Sequence, residues 1–249
     1  MKHSFTFKQF EVRQERCAMK VGTDGVLLGA WARVGHCRRI LDMGTGTGLV
    51  ALMAAQRSHA DIVAIDLDSN AVAQAAENVA ASPWAGRIQV LEADAREISN
   101  SQLRHQESRC PLAIISSLLF DAILCNPPFF ENSLKCPDSA RSMARHTDTL
   151  SFDELACSAS RLLSSDGELS IIIPYDRSHD MTVSCACHGL FATRQTIVVP
   201  VDGGKPKRIL MAFTRQGAPH SIETLCMQDS KHQYTPEYVS LVEDFYLKM

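Results

Sequence analysis

Near the middle of the chain a strand-like, mostly apolar run, "FDAILCN", ends at Asn126 and passes straight into Pro127-Pro128-Phe129-Phe130. The side-chain carbonyl of Asn126 and the backbone carbonyl freed by Pro127 can both accept hydrogen bonds from one planar –NH₂ group, while Phe129 offers a stacking face. Such a corner suits an amine on a flat ring or an amide. The lone pair of that nitrogen is delocalised, so it is a poor nucleophile. Two acceptors drawing on its hydrogens favour a tetrahedral nitrogen and turn the lone pair toward an electrophilic methyl group, with no titrating residue needed until after transfer. Asn126, Pro127 and Phe129 are therefore the candidate catalytic positions. A Pro-Pro pair after a strand is also simply a stiff exit turn, so what stands beside the corner matters.

A second constellation is Asp42-Met43-Gly44-Thr45-Gly46-Thr47-Gly48, between a strand-like run and a helix-like one. Three glycines permit a sharp turn and close ligand approach, with a helix N-terminus supplying free N–H groups. Its spacing is Gly-x-Gly-x-Gly, and Leu49 stands where the dinucleotide fingerprint wants its third glycine, which disfavours NAD. The next strand ends at Asp66, placed to take both hydroxyls of a ribose, and the third ends at Asp94, placed to hold the exocyclic amine of an adenine. The plainer readings are a solvated turn acid at Asp66 and a helix-starting acid at Asp94. Asp42 either braces the loop or faces a ligand ammonium group. Three ligand groups at three successive strand ends describe S-adenosylmethionine better than any dinucleotide.

These residues require a parallel sheet with crossover helices, and from Arg38 onward short β-rich runs alternate with helical ones. "RRILDMG", "DIVAIDL", "RIQVLEAD", "FDAILCN" and "GELSIIIP" read as parallel strands; "FATRQTIVVPV" and "KRILMAFTR", joined by Asp-Gly-Gly-Lys, read as an antiparallel pair at one edge. Seven strands are expected. Ser69 is placed to cap one helix, and Ser151 with Glu154 to form a capping box on another, "SFDELACSASRLLSS". A further helix is expected around Ser178 to His188. Ahead of the sheet, "FTFKQFEVRQ" reads as a hairpin and "TDGVLLGAWARV" as a helix. The organisation expected is a hairpin and helix in residues 1–36 packed on one α/β domain in 37–249. Glu131 to Thr149, which directly follows the Asn126 corner, is the longest segment without a clear period, and loops of that length are more often binding lids than spacers.

Bulk composition excludes other classes. The chain has 249 residues, 45% of them hydrophobic, and a formal net charge of −3. No apolar run is long enough to span a bilayer, and the start lacks the pattern of a signal peptide, so a cytosolic protein is expected. Nine cysteines without a Cys-x-x-Cys pair argue for reduced thiols. Cys185, Cys187 and His188 fit no common zinc spacing, so no metal is expected. Mild acidity argues against an indiscriminate nucleic-acid coat but leaves room for a local basic patch.

With these residues in view the chain resembles the class I, Rossmann-like methyltransferases, and within them the amino-methylating group with an Asn/Asp-Pro-Pro-aromatic motif. "MKVGTDGVLLGAW", "LDMGTGTGL", "CNPPFF" and "ARHTDTLSF" together resemble the bacterial tRNA1(Val) adenine-37 N6-methyltransferase family over nearly the whole chain, including the "FYLK" ending. The fold implied is a seven-stranded, mostly parallel sheet with an antiparallel edge strand and a small N-terminal extension. The activity implied is methyl transfer from S-adenosylmethionine to the exocyclic nitrogen of an adenine beside the anticodon of a valine tRNA. Phe129 stands where many relatives carry Tyr, which keeps the stacking face and loses a hydroxyl. Lys20, Thr23 and Asp24 fall in the segment that, in this family, approaches cofactor and target. With Lys20, Thr23, Asp42, Gly44, Gly46, Gly48, Asp66, Asp94 and Asn126 assigned to the cofactor, the expected RNA anchors are Lys135, Arg141, Arg145 and His146 in the lid and Lys205, Lys207 and Arg208 at the edge hairpin. Arg33, Arg38 and Arg39 are further candidates. A splayed adenine needs its neighbouring phosphates held. Competing readings are a protein-glutamine N5-methyltransferase, a DNA adenine methyltransferase and a non-catalytic RNA-binding module. A monomer is expected, on size and the absence of visible interface stripes.

Overall fold

The computed structural model describes residues 4–98, 115, 118–127, 150–217 and 219–248. The N-terminal hairpin pairs β1 (Ser4–Thr6) with β2 (Glu11–Arg13), and α1 (Thr23–Trp31) follows. Strands β3 (Arg39–Met43), β4 (Asp61–Asp66) and β5 (Ile88–Glu92) alternate with helices α2 (Leu49–Arg57), α3 (Ser69–Ala80) and the short α4 (Ala95–Ile98). After β6 (Phe120–Cys125) come α5 (Phe152–Leu162), β7 (Leu163–Pro174), a 3₁₀ turn at Tyr175–Arg177, α6 (Ser178–Cys187), β8 (Phe191–Val201), β9 (Arg208–Thr214), β10 (Ser221–Gln228) and α7 (Pro236–Val242).

The sheet is Rossmann-like and mostly parallel, in the order β10-β8-β9-β7-β6-β3-β4-β5, with only β9 running against its neighbours. The seven strands expected from sequence are joined by an eighth, β10, which pairs with β8 and takes the edge. The antiparallel strand therefore lies inside the sheet. β10 was hidden because its pattern does not alternate cleanly: Ser221 to Thr224 are all exposed, Ile222 included, and the first buried position is Leu225.

Two apolar layers flank the sheet. Ile40, Ile62, Leu124, Ile172 and Leu210 pack under α1, α2 and α7, while Leu41, Ile65, Ile123, Ile171 and Met211 pack under α4, α5 and α6. Alternate residues of each strand serve opposite layers, as the pleat requires. The hairpin joins the first layer through stacked Phe7 and Phe10, 4.7 Å between centroids, and the C-terminal tail closes on it, with Lys8 N donating to Phe245 O at 2.8 Å.

Local signals hold with two shifts. Ser151 and Glu154 form the capping box, Glu154 Oε2 accepting from Ser151 N at 2.8 Å, but α5 stops at Leu162 because Leu163 turns extended and starts β7. The cap of α3 is Asp68, which accepts from Asn70 N at 2.9 Å, and Ser69 is the first helical residue. A carboxylate is at least as good a cap as a hydroxyl, and one residue of offset decided between them. Among the described residues no helix is long and apolar enough to cross a membrane.

Candidate active site

The β3–α2 turn is pinned at both ends. Gly44 N and Thr45 N donate to Ile65 O at 2.9 and 2.8 Å, so the loop hangs from the end of β4. Gly44, Gly46 and Gly48 take φ of 76°, 55° and 82°, where any side chain is strained. A Cβ on Gly44 or Gly46 would meet no atom within 4 Å, so the main chain there faces open space. At Gly48 a Cβ would lie 3.3 Å from that of Ala75, so α3 packs directly against the end of the loop.

Two acids shape this cradle. Asp66 Oδ2 accepts from Gly46 N at 2.8 Å and Oδ1 from Asp68 N at 3.0 Å, placing its carboxylate beside the loop as the sequence suggests. Asp42 is 1% exposed; its Oδ2 accepts from Thr45 Oγ1 at 2.5 Å and Ala51 N at 3.1 Å. Of the two roles left open for Asp42, bracing is the one its contacts make. Burial pushes its carboxyl up to about 7, against the two hydrogen bonds, which act to lower it. Asp94 reaches the third strand end, but Arg96 grips both its oxygens, Nη2 lying 2.6 Å from Oδ2. That grip holds the Asp94 carboxyl below its ordinary value.

Asn126 follows β6, the neighbour of β3 on the side away from β4. Its Oδ1 is buried, and among the described residues that atom has no hydrogen-bond partner and its Nδ2 meets only Met19 Sδ, at 3.9 Å. A buried carbonyl without a donor forfeits roughly 1–3 kcal/mol, so such a group marks a place where a donor is missing. Pro127 is buried behind it. α1 packs against this corner from the first apolar layer, for a Cβ on Gly25 would stand 4.0 Å from Asn126 Nδ2 and 3.0 Å from Leu49.

Other sequence assignments are redistributed. Lys20 folds back on its own segment, donating to the carbonyls of Gln14, Glu15 and Cys17, because a lysine at the end of a tight loop satisfies its carbonyls. Thr23 is exposed at the first position of α1, where Gly22 caps without a side chain. Arg208 donates to Asp24 Oδ2 at 2.8 Å across 184 residues, so it joins β9 to α1 at the pocket wall as well as facing the rim. Lys205 and Lys207 are exposed where β8 turns into β9. Arg38 and Arg39 lie at the opposite end of the sheet, their main-chain N–H groups donating to Asp121 Oδ2 at 2.7 and 3.1 Å, and Arg33 ends the α1 segment on that same side. Parallel strands place residues before and after a strand at opposite edges, so these three leave the candidate rim. Phe129, Lys135, Arg141, Arg145 and His146 lie outside the described residues. Cys185 is buried and Cys187 exposed, while His188 Nε2 lies 2.8 Å from Asp153 Oδ1, so the three do not converge.

Sequence reasoning missed Gln74 and Asn78. Both are buried polar residues on α3, and both bind the segment that leads from the hairpin to α1. Their spacing of four on an otherwise Ala- and Val-rich helix was the available signal.

An open glycine cradle, a carboxylate at the adjoining strand end and an Asn-Pro corner at the end of β6, on one mostly parallel sheet, are the layout of a class I, S-adenosylmethionine-dependent methyltransferase. Residues 40–147 match the family model described as a methyltransferase domain. The fold is shared with a predicted O-methyltransferase from Agrobacterium tumefaciens, at a TM-score of 0.65 and 23% identity over 89% of this chain and 96% of that one. Relatives named tRNA1(Val) (adenine(37)-N6)-methyltransferase are 47% identical in Bacteroides fragilis over 245 residues and 48% identical in Phocaeicola vulgatus over 245, each covering 98% of both chains. One from Haemophilus influenzae is 42% identical over 246 residues, again 98% of each. The chain belongs to the tRNA1(Val) (adenine(37)-N6)-methyltransferase family.

Proposed function

We propose that this protein transfers a methyl group from S-adenosylmethionine to the exocyclic N6 of adenine 37 in a valine tRNA. The observation that carries the reading is the buried Oδ1 of Asn126, without a partner among the described residues, at the strand end next to the glycine cradle. The names of the nearly full-length relatives supply the substrate.

In this reading the main chain of Gly44, Gly46 and Gly48 cradles the cofactor, Asp66 accepts from its ribose hydroxyls, and Asp94, still held by Arg96, has lone pairs to share with the adenine amine. Bound cofactor supplies an electrophilic methyl on a sulfonium. Asn126 Oδ1 and the backbone carbonyl freed by Pro127 accept the two N–H bonds of the target amine, which withdraws its lone pair from the ring, and Phe129 stacks on the base. Asp42 holds the loop and touches neither reactant. Lys205 and Lys207, with Lys135, Arg141, Arg145 and His146 of the following segment, hold phosphates of the anticodon stem-loop, and Arg208 does so while tethered to Asp24. Residues 1–36 form the extension that roofs the methyltransferase domain of 37–249, and the enzyme acts as a cytosolic monomer.

The test is methyl transfer from radiolabelled cofactor to total tRNA lacking this modification, followed by nucleoside analysis. N6-methyladenosine at position 37 of a valine tRNA is the expected product. Label confined to protein would end the reading.

A further inference from the structure

From Arg13 to Gly22 the chain crosses from the hairpin to α1 as a strap, and the strap is fastened along its length. Arg13 N donates to Asn78 Oδ1 at 2.9 Å, and Asn78 Nδ2 donates to both Arg13 O and Thr47 O at 2.8 Å, so one buried amide joins the strap to the glycine loop. Arg16 N donates to Gln74 Oε1 at 3.2 Å, and its guanidinium lies 2.9 Å from Glu77. Val21 N donates to Gln14 Oε1 at 2.8 Å, and Lys20 Nζ closes the remaining turn on Cys17 O at 2.9 Å.

What this fastening delivers is Met19. It is 48% exposed, and its sulfur meets the amide of Asn126. A single exposed apolar side chain needs no explanation by itself. Here, however, it lies against the one described residue at that end of the sheet whose buried acceptor lacks a donor among the described residues. A base whose amine enters that acceptor must pass its ring beside Met19. Extruded bases are held between aromatic and apolar side chains, and a thioether is soft enough to follow a flat ring's face or edge.

We infer that Met19 is a substrate-contacting residue: it packs against the ring of the base whose amine Asn126 accepts, and the strap anchored by Asn78 exists to hold it there. This rests on the tRNA reading above. It assigns the strap a role in gripping the base, beyond covering the cofactor.

The experiment compares wild type with Met19→Ala and Met19→Leu, using undermethylated valine tRNA at saturating cofactor, alongside calorimetric titration of cofactor alone. Losing one apolar contact to a splayed base should lower kcat/KM for tRNA by roughly 5- to 30-fold. Cofactor affinity should stay within about twofold, the melting temperature should be unchanged, and Leu should recover most of the loss. Met19→Ala with unaltered kcat/KM for tRNA overturns the inference. So does a loss that falls on cofactor affinity, which would assign Met19 to the other half of the pocket. A wild-type enzyme that labels no tRNA ends the tRNA reading itself, and this inference with it, whereas an active wild type matched by Met19→Ala ends the inference alone.

Discussion

The two ends of this one sheet handle their polar groups differently. At the amino end, carbonyls and carboxylates are closed by protein. Asp121 takes the N–H groups of Arg38 and Arg39, Arg57 caps the carbonyls of Gly29 and Ala32 at 2.8 and 2.7 Å, and Arg87 reaches Ala60 O and Ala55 O at 2.8 and 2.9 Å. Gln56 Oε1 and Arg194 Nε there also lack partners among the described residues, but both side chains are tied down through their other atoms, Gln56 Nε2 to Asp244 O and Arg194 to Trp31 O and Glu168. At the carboxyl end the glycine main chain faces open space, and among the described residues Asn126 has no side-chain partner stronger than a sulfur. Protein interiors satisfy their polar groups almost completely. In open parallel sheets ligands collect at the carboxyl end, and the amino end, where arginines close these carbonyls, keeps a cavity of about 320 Å³ lined by Arg39, Asp61, Arg87 and Phe120.

That contrast breaks most visibly at Asn126. Asn126→Ala should reduce single-turnover methyl transfer by about 10²- to 10³-fold, the range for removing one acceptor or donor aligned to the reacting group. Cofactor affinity should change less than about threefold, since the contact is made to the other reactant. Equal losses in both would remove Asn126 from the reacting nitrogen. Asp66→Ala is expected to invert the pattern, with cofactor binding weakened roughly 10- to 100-fold because a buried hydrogen bond to a charged group contributes about 1.5–3 kcal/mol. A cofactor dissociation constant equal to wild type would refute the ribose assignment.

The sequence made the open end legible because its parts are contiguous. Asp42 to Gly48 is one turn, Asp66 ends the next strand, and Asn126 adjoins its own prolines. Each could be read from a few neighbouring residues and the rule that ligands collect at the carboxyl ends of parallel strands. What stayed hidden depends on docking between distant segments: Arg208 on Asp24, Asn78 on Arg13 and Thr47, and Met19 on Asn126, separated by 184, 65 and 31, and 107 residues. No period or cap encodes such pairings. Lys20, read from sequence as a cofactor group, also donates to the carbonyls of its own loop, a shape only the fold reveals. β10 escaped for a related reason: an edge strand with one exposed face and a short buried stretch carries little alternation to detect.

The closed end gives the converse test. Arg87→Ala removes the donors for two carbonyls at the close of α2 and the start of β4, and should lower stability by about 2 kcal/mol, a fall in Tm of roughly 4–8 °C for a chain of this size. Its kcat at a temperature where the variant is folded should equal that of wild type. A kcat that fell with stability would mean the two ends are coupled through β4, and the division between them would fail.

Asp42 sharpens the comparison from within the open end, because it is the one carboxylate there that protein has fully enclosed. Its pKa is raised by burial to about 7 in the fold from an ordinary value near 3.8. Between those values the folded chain holds a proton that the unfolded chain has released, so stability contributed by Asp42 is complete below about pH 4 and is lost as pH rises toward 7. Asp42→Asn keeps an acceptor for Ala51 N and Thr45 Oγ1 without the ionisation. The variant's Tm should therefore fall less than wild type's between pH 4 and 7, since carboxylates that titrate alike in both proteins cancel from the comparison. Identical slopes would show that Asp42 stays ionised in the fold. Its carboxylate would then stand as negative charge beneath the glycine loop, and the ammonium-facing role set aside by its contacts would return.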